Sequence, residues 1–191
     1  MKFDSLKQLI DDSMTVSEFH SGNIPNIDLY MDQVMTLIND NFFSELKEEK
    51  LLTKTMIHNY SKEGLLKPVK GKKYSKEHIL QMLLIYQLKN TLKISDIKSV
   101  LTSMSQWEDY SEDVLAECFD RFMELRRCEK ETLSRCLSNG FQEAHLNLEN
   151  KKDFLVAILS VSTLSHALKS IAESMIRSMS EDSSQEVTPS E

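Results

Sequence analysis

The chain has 191 residues, a formal net charge of −7, 40% apolar side chains and 28% charged ones. Those proportions fit one ordinary folded domain or two small ones. Only 4 Gly and 3 Pro disfavour a sandwich, a barrel or a many-crossover α/β sheet, because each needs many tight turns.

Residues 1–20 read as a first helix, with Phe3, Leu6, Leu9, Ile10 and Met14 at helical spacing. Asp4, Asp11 and Asp12 interrupt it, so it does not read as a secretory signal. The segment Ser21–Asn26 breaks that helix, and a second is expected from about Asp28, through Leu29, Val34, Leu37, Ile38 and Phe42. The polar stretch 44–50 reads as a loop or fraying end. Thr53 suits an N-cap and Gly64 a C-cap with positive φ, framing a short helix between them. Pro68 and Gly71 bracket an excursion over 65–74, the size of a turn or tiny hairpin. Ser75 caps a helix over 76–90 that is apolar almost all round, through Ile79, Leu80, Met82, Leu83, Leu84, Ile85 and Leu88. Such a helix belongs at the buried centre of its domain. Ser95 caps one more short helix, which ends near Leu101. A polar passage from Thr102 to Ser111, with the lone Trp107, marks a domain boundary. Two long helices follow, about Glu112–Leu137 and about Lys151–Ser180, joined by a segment containing Gly140. The tail 181–191 is acidic, Ser-rich and free of aromatics, which predicts disorder.

Charge is segregated along this order. Residues 1–49 carry a net −7, residues 50–98 a net +8 with 11 Lys, and residues 99–191 a net −8. A basic middle in an acidic chain is the electrostatic footprint of a phosphate-contacting surface, or else a solvated Lys-rich helical face.

The residues 53–66, TKTMIHNYSKEGLL, carry the most chemistry. A helix starting after Thr53 puts Met56, Ile57 and Tyr60 on one side and Thr55, His58, Asn59 and Lys62 on the other. Asn pairs bidentately with adenine, while Thr, His and Lys reach bases or phosphates. The helix N-terminus, with Thr53 and Lys54, adds a favourable end for a phosphate. Directly afterwards Lys67, Lys70, Lys72 and Lys73 crowd around Gly71.

This order of parts resembles the winged helix-turn-helix domain of the MerR family. The likeness covers about residues 28–101 and rests on Tyr60, Gly64, Leu65, Leu66, Tyr74, the helix Ile79–Leu88 and Ser95–Ile97. The stretches IPNIDLYMDQV, LLTKTMIHNY and KKYSKEHI also resemble a bacterial family of unknown function that carries a MerR-like domain. The resemblance implies DNA contacts at Tyr60, Lys72 and Tyr74, and by position at His58 and Asn59. Tyr74 has an equal alternative, closing the core under the wing. The sequence departs from the family in having His58 and Asn59 where Arg and Tyr are usual, and a shorter wing.

Other signals are set aside. Cys128 and Cys136 are spaced like some metal loops, but CEKETLSRC is a helical sequence without Gly or Pro, so no metal is expected. Three Cys without an export signal point to reduced thiols, acting as small hydrophobes in a cytoplasmic protein. His20, His78, His145 and His166 read as surface or helix-margin residues. No phosphate loop, GxSxG or HExxH occurs, so neither catalysis nor a cofactor is expected.

The expectation is a mainly α protein with four parts: an N-terminal helix and linker (1–26), a MerR-like winged-helix head (27–102), a helical assembly or effector region (111–180) and the tail. It would be a transcriptional regulator of double-stranded DNA. Its contacts would be Thr53, Lys54, Thr55, His58, Asn59, Tyr60, Lys62, Lys70, Lys72, Lys73 and Tyr74, with an unidentified effector. The rival readings are a winged-helix module that binds an acidic protein, and a helical sensor without DNA binding. The last helix carries Phe154, Ala157, Val161, Leu164, Leu168, Ile171 and Met175 at 3-4 spacing, which predicts a homodimer seam. Within the chain it would meet Leu115, Phe119, Phe122 and Leu125. Its uncharged run, Phe154–Leu168, has 15 residues against the roughly 20 of a bilayer span, so no membrane association is expected.

Overall fold

The computed structural model describes residues 3–14, 17–42 and 52–185. The fold is mostly helical. In chain order it runs α1 (Phe3–Ser13), β1 (Leu29–Tyr30), α2 (Met31–Leu37, continued by a π turn Ile38–Phe42), α3 (Lys54–Lys62), β2 (Lys73–Tyr74), α4 (Lys76–Leu88), α5 (Ile94–Ser105), α6 (Glu112–Glu143) and α7 (Lys151–Gln185). The expected loop at 44–50 lies outside the described residues.

α4 is the centre of the main core. Ile79, Leu80, Met82, Leu83 and Ile85 are fully buried, as an all-round apolar helix requires. Ser75 starts α4 by accepting the His78 N–H at 3.4 Å, while His78 Nδ1 accepts the Ser75 N–H at 3.2 Å. His78, expected at the surface or a helix margin, is a buried capping residue in the first turn of α4.

α1 stops at Ser13, shorter than expected, because the following chain is used elsewhere. Phe19 enters the main core edge-to-face with Phe42, and both Ser21 N–H and Ser21 Oγ donate to the Asp120 carboxylate of α6 at 2.7 and 2.6 Å. Leu29 and Tyr30, expected in a helix, instead form β1 and pair antiparallel with Tyr74 and Lys73.

The expected boundary at 102–111 does not divide two cores. Leu115, Ala116, Phe119 and Met123 of α6 belong to the same cluster as α4. A polar knot ties this joint: the Lys67 ammonium sits 2.7 Å from the Glu77 carboxylate and 4.7 Å over the Tyr110 ring. The Tyr110 hydroxyl donates to that carboxylate, and Glu112 of α6 accepts the Glu77 N–H at 3.2 Å.

α6 runs through Gly140 to Glu143, six residues beyond the expected end. The residue that turns out of it in the left-handed conformation is His145, φ +54. Leu146 N–H donates to the Phe141 carbonyl and His145 N–H to the Gln142 carbonyl, the paired bonds of a Schellman cap. Gly140 does not punctuate the chain, because its conformational freedom is not used. A second, smaller core at this end joins Leu6 and Ile10 of α1, Leu137 and Phe141 of α6, Leu148, and Ala157 of α7.

α7 extends into the expected tail as far as Gln185, and residues 186–191 lie outside the described ones. It docks on α5 and the main core through Ala172, Ile176 and Met179. Two expectations about its partners need correction. Leu115 and Phe119 are taken by the head core and Leu125 is 56% exposed, so α6 does not offer α7 that face. Ala157 is buried in its own chain's second core, and so is not part of an open seam. The thiols differ as well: Cys118, Cys128 and Cys136 are exposed, not buried hydrophobes. By length and composition Lys151–Ser180 could cross a membrane, with a mean hydropathy of 1.6 over its most apolar 18 residues. The 15-residue measure missed this because it stopped at Lys169.

Burial pushes the Glu77 carboxyl up, but the hydrogen bonds from Lys67 and Tyr110 outweigh it and leave the group below its ordinary 4.5. A carboxyl lowered by folding adds stability above pH 4.5 and loses it as pH falls through the lower folded value. Glu77→Gln should thus destabilise the fold by about 1 kcal/mol at neutral pH. The same change should flatten the acid limb of a melting-temperature profile below pH 4.5, which thermal melts across pH will show.

Candidate nucleic-acid interface

α3 is framed by good local chemistry at both ends. Thr53 Oγ1 accepts the Met56 N–H at 3.2 Å, which makes it the N-cap expected. Gly64 has φ +69, and Leu65 and Gly64 N–H groups close on the Tyr60 and Ser61 carbonyls, a second Schellman cap. From α5, the Lys98 ammonium reaches the Glu63 carbonyl at 3.2 Å and secures this end of α3.

Between the caps the helix divides as the spacing requires. Ile57 and Tyr60 are buried, and Thr55, His58, Asn59 and Lys62 are exposed. Tyr60 does not stand among the contact residues: its hydroxyl is buried without a partner among the described residues, and burial raises its pKa. A ring at this position serves the core, and its oxygen is out of reach of any external ligand. Tyr74 is likewise mostly buried. It is 8% exposed, sits edge-to-face on His78, and has its hydroxyl pKa raised by burial.

The basic excursion is a two-residue turn. Lys73 N–H bonds to the Lys70 carbonyl at 3.1 Å, with Gly71 at φ +59 and Lys72 at φ +60. Positive φ at both central residues is the type I′ geometry, whose twist suits short antiparallel strands. Lys70, Lys72 and Lys73 are all exposed on it. The Lys73 ammonium lies 5.2 Å over the Tyr30 ring of β1, which fixes the turn against the entry to α2.

α3 and this turn wall a single open cleft of about 960 Å³. Lys54, His58 and Ser61 line it from α3, Lys72 and Tyr74 from the turn and β2, and Thr102 and Ser105 from α5. Among the described residues no carboxylate lines it. Asn59, Thr55, Lys62, Lys70 and Lys73 stand outside the cleft and face solvent beside it. Two lysines are engaged before any ligand arrives: Lys54 with Asp32, and Lys67 in the Glu77 knot. Sequence reasoning missed Asp32, Tyr30 and Lys98, because each reaches the site through pairing or packing that no local pattern encodes. Among the described residues no three His, Cys, Asp or Glu side chains gather to hold a metal ion.

The model of one protein family, described as a domain of unknown function (DUF1836), matches residues 19–122. The chain belongs to that family. The DUF1836 region opens at Phe19, where the main core begins, and closes on α6 at Phe122, beside its last core residue Met123. It thus holds the whole cleft, and excludes α1 and α7. No curated protein and no solved structure matches the chain.

Lys72 is the one non-glycine in the turn with φ > 0, a conformation that costs an ordinary residue roughly 1–2 kcal/mol. Lys72→Gly should raise stability by up to about 1 kcal/mol, the relief being partly offset by glycine's larger unfolded entropy. Chemical denaturation checks it, and a loss of stability would mean that the Lys72 side chain contributes more than its backbone strain takes away.

Proposed function

We propose that the DUF1836 head is a winged helix-turn-helix that binds double-stranded DNA and regulates transcription, with no catalytic role. One observation carries this reading. An exposed, carboxylate-free stripe on α3 stands beside a type I′ turn bearing three exposed lysines, across a cleft that, among the described residues, no carboxylate lines.

In this reading α3 enters the major groove. Asn59 presents an amide that can pair bidentately with adenine, and Thr55, His58 and Lys62 flank it at helical spacing. Lys70, Lys72 and Lys73 lie on the phosphate backbone beside the groove, where they position the head without reading sequence. The order of α2, α3, basic turn and buried α4 is also the order in the MerR-like resemblance, which supports the same assignment. The acidic flanks of the chain repel a polyanion, so contact would be confined to the basic middle.

Lys72→Glu with Lys73→Glu should weaken binding to every duplex and flatten the log–log salt slope by about one unit for each phosphate that is no longer neutralised. Asn59→Ala should cost about 1–3 kcal/mol on a duplex selected from a random pool and little on unselected DNA. Fluorescence anisotropy across a salt series reads both. Wild-type protein that binds duplex DNA without salt dependence, or not at all at low salt, discards the reading.

A further inference from the structure

A helix that reads a groove with its outer stripe has no need of a cavity behind it, yet α3 walls one. Its volume of about 960 Å³ lies within the roughly 300–1,000 Å³ of small-molecule sites. The floor is apolar and comes from three parts of the chain. Met31 of α2, Leu65, Pro68 and Val69 of the excursion, and Leu101 of α5 all line it.

The charge around that floor has one sign. Lys54, His58, Lys67 and Lys72 line the cleft, and among the described residues no carboxylate does. Lys54 is paired with Asp32 and Lys67 with Glu77, so two of these charges are already answered. The Ser61 and Ser105 hydroxyls donate to carbonyls of their own helices, Ile57 at 3.1 Å and Thr102 at 2.7 Å. That leaves the Lys72 ammonium, the His58 imidazole and the Thr102 hydroxyl to meet a ligand. Such a set suits a single negative charge better than a polyphosphate.

The cleft wall also holds an unmet acceptor. Gln81 of α4 lines the cleft and is 4% exposed. Its Nε2 donates to the Tyr110 hydroxyl at 3.5 Å, while its Oε1 has no hydrogen-bond partner among the described residues. Buried acceptors are matched almost without exception, and an unmatched one costs free energy. A hydrogen-bond donor that enters the wall at Gln81 removes that cost.

We infer that this cleft binds a small organic monocarboxylic acid whose apolar body carries one hydrogen-bond donor. The carboxylate meets Lys72, His58 and Thr102, the body lies along Val69 and Leu101, and the donor reaches the Gln81 Oε1. The site shares Lys72 and His58 with the proposed DNA contacts but does not depend on them. Its test therefore omits DNA, and its failure is distinguishable from failure of the DNA reading.

Isothermal titration calorimetry of the full chain tests it with four probes. Indole-3-acetate should bind one molecule per chain with a Kd on the order of 100 µM. Tryptamine, the same ring with an ammonium, should bind at least about tenfold more weakly, and acetate, which lacks the body, should give no heat. Naphthalene-1-acetate, which lacks the N–H, should bind about fivefold more weakly, and Gln81→Met should erase that difference. Ser61→Glu with Thr102→Glu puts a carboxylate on each wall at an exposed helix position and should weaken indole-3-acetate about tenfold. The matching pair of Gln changes should not. The probe comparison on the unaltered chain needs no variant to fold. Absent binding overturns the inference, as does tryptamine binding as tightly as the acid. So does acid binding that ignores both Glu changes, which is how adsorption on the exposed side chains of α7 would behave. An N–H advantage that survives Gln81→Met overturns it as well.

Discussion

Everything in the head follows from the burial of α4 around its whole circumference. A helix with no polar face cannot rest on one neighbour and must be enclosed. Ile57 and Tyr60 of α3, Ile97 and Leu101 of α5, and Leu115 and Phe119 of α6 join its cluster, with Val34, Ile38 and Phe19 from the N-terminal side. Those elements are held by a shared core rather than by their own propensities, since α3 has nine residues and is too short to stand alone. The same constraint explains why α6 begins inside the head. Without Leu115, Phe119 and Met123 one side of α4 would face water.

How much of this is legible in the sequence depends on whether the signal is local. α4 is readable because an all-round apolar helix has one fate, and the caps of α3 are readable because Thr53 and Gly64 use chemistry within their own turn. The end of α6 is not, because the left-handed position is occupied by His145 and the one nearby glycine lies inside the helix. Leu29 and Tyr30 look helical by spacing, but they become a strand by pairing with Tyr74 and Lys73, over forty residues on. Tyr60 misleads for a related reason: an aromatic on a basic helix suits a contact or a core equally, and only the enclosure of α4 decides.

The spatial arrangement of charge is narrower than the sequence block suggests. Lysines run throughout residues 50–98, yet several are used internally. Lys67 belongs to the knot with Glu77 and Tyr110, Lys98 secures the end of α3, and Lys54 faces Asp32. Beside the cleft, the exposed lysines without a carboxylate partner among the described residues are Lys62 and, on the turn, Lys70, Lys72 and Lys73, while Lys93 is exposed at the start of α5. A cation held by a neighbouring carboxylate contributes little field beyond the pair, whereas exposed lysines on a fixed turn add together. The left-handed backbone at Lys72 fits this view, since strain retained at an exposed cation points to a role for its position.

α5 links the two surfaces of the molecule. One side places Ile97, Leu101 and Met104 in the head core, and α7 docks on the helix through Ala172, Ile176 and Met179. Lys98, on the same helix, donates to the Glu63 carbonyl at the end of α3, and Thr102 and Ser105 line the cleft that α3 also walls. Any force that moves α7 on its seat acts first on α5, and α5 reaches α3 through a hydrogen bond and a shared cleft wall.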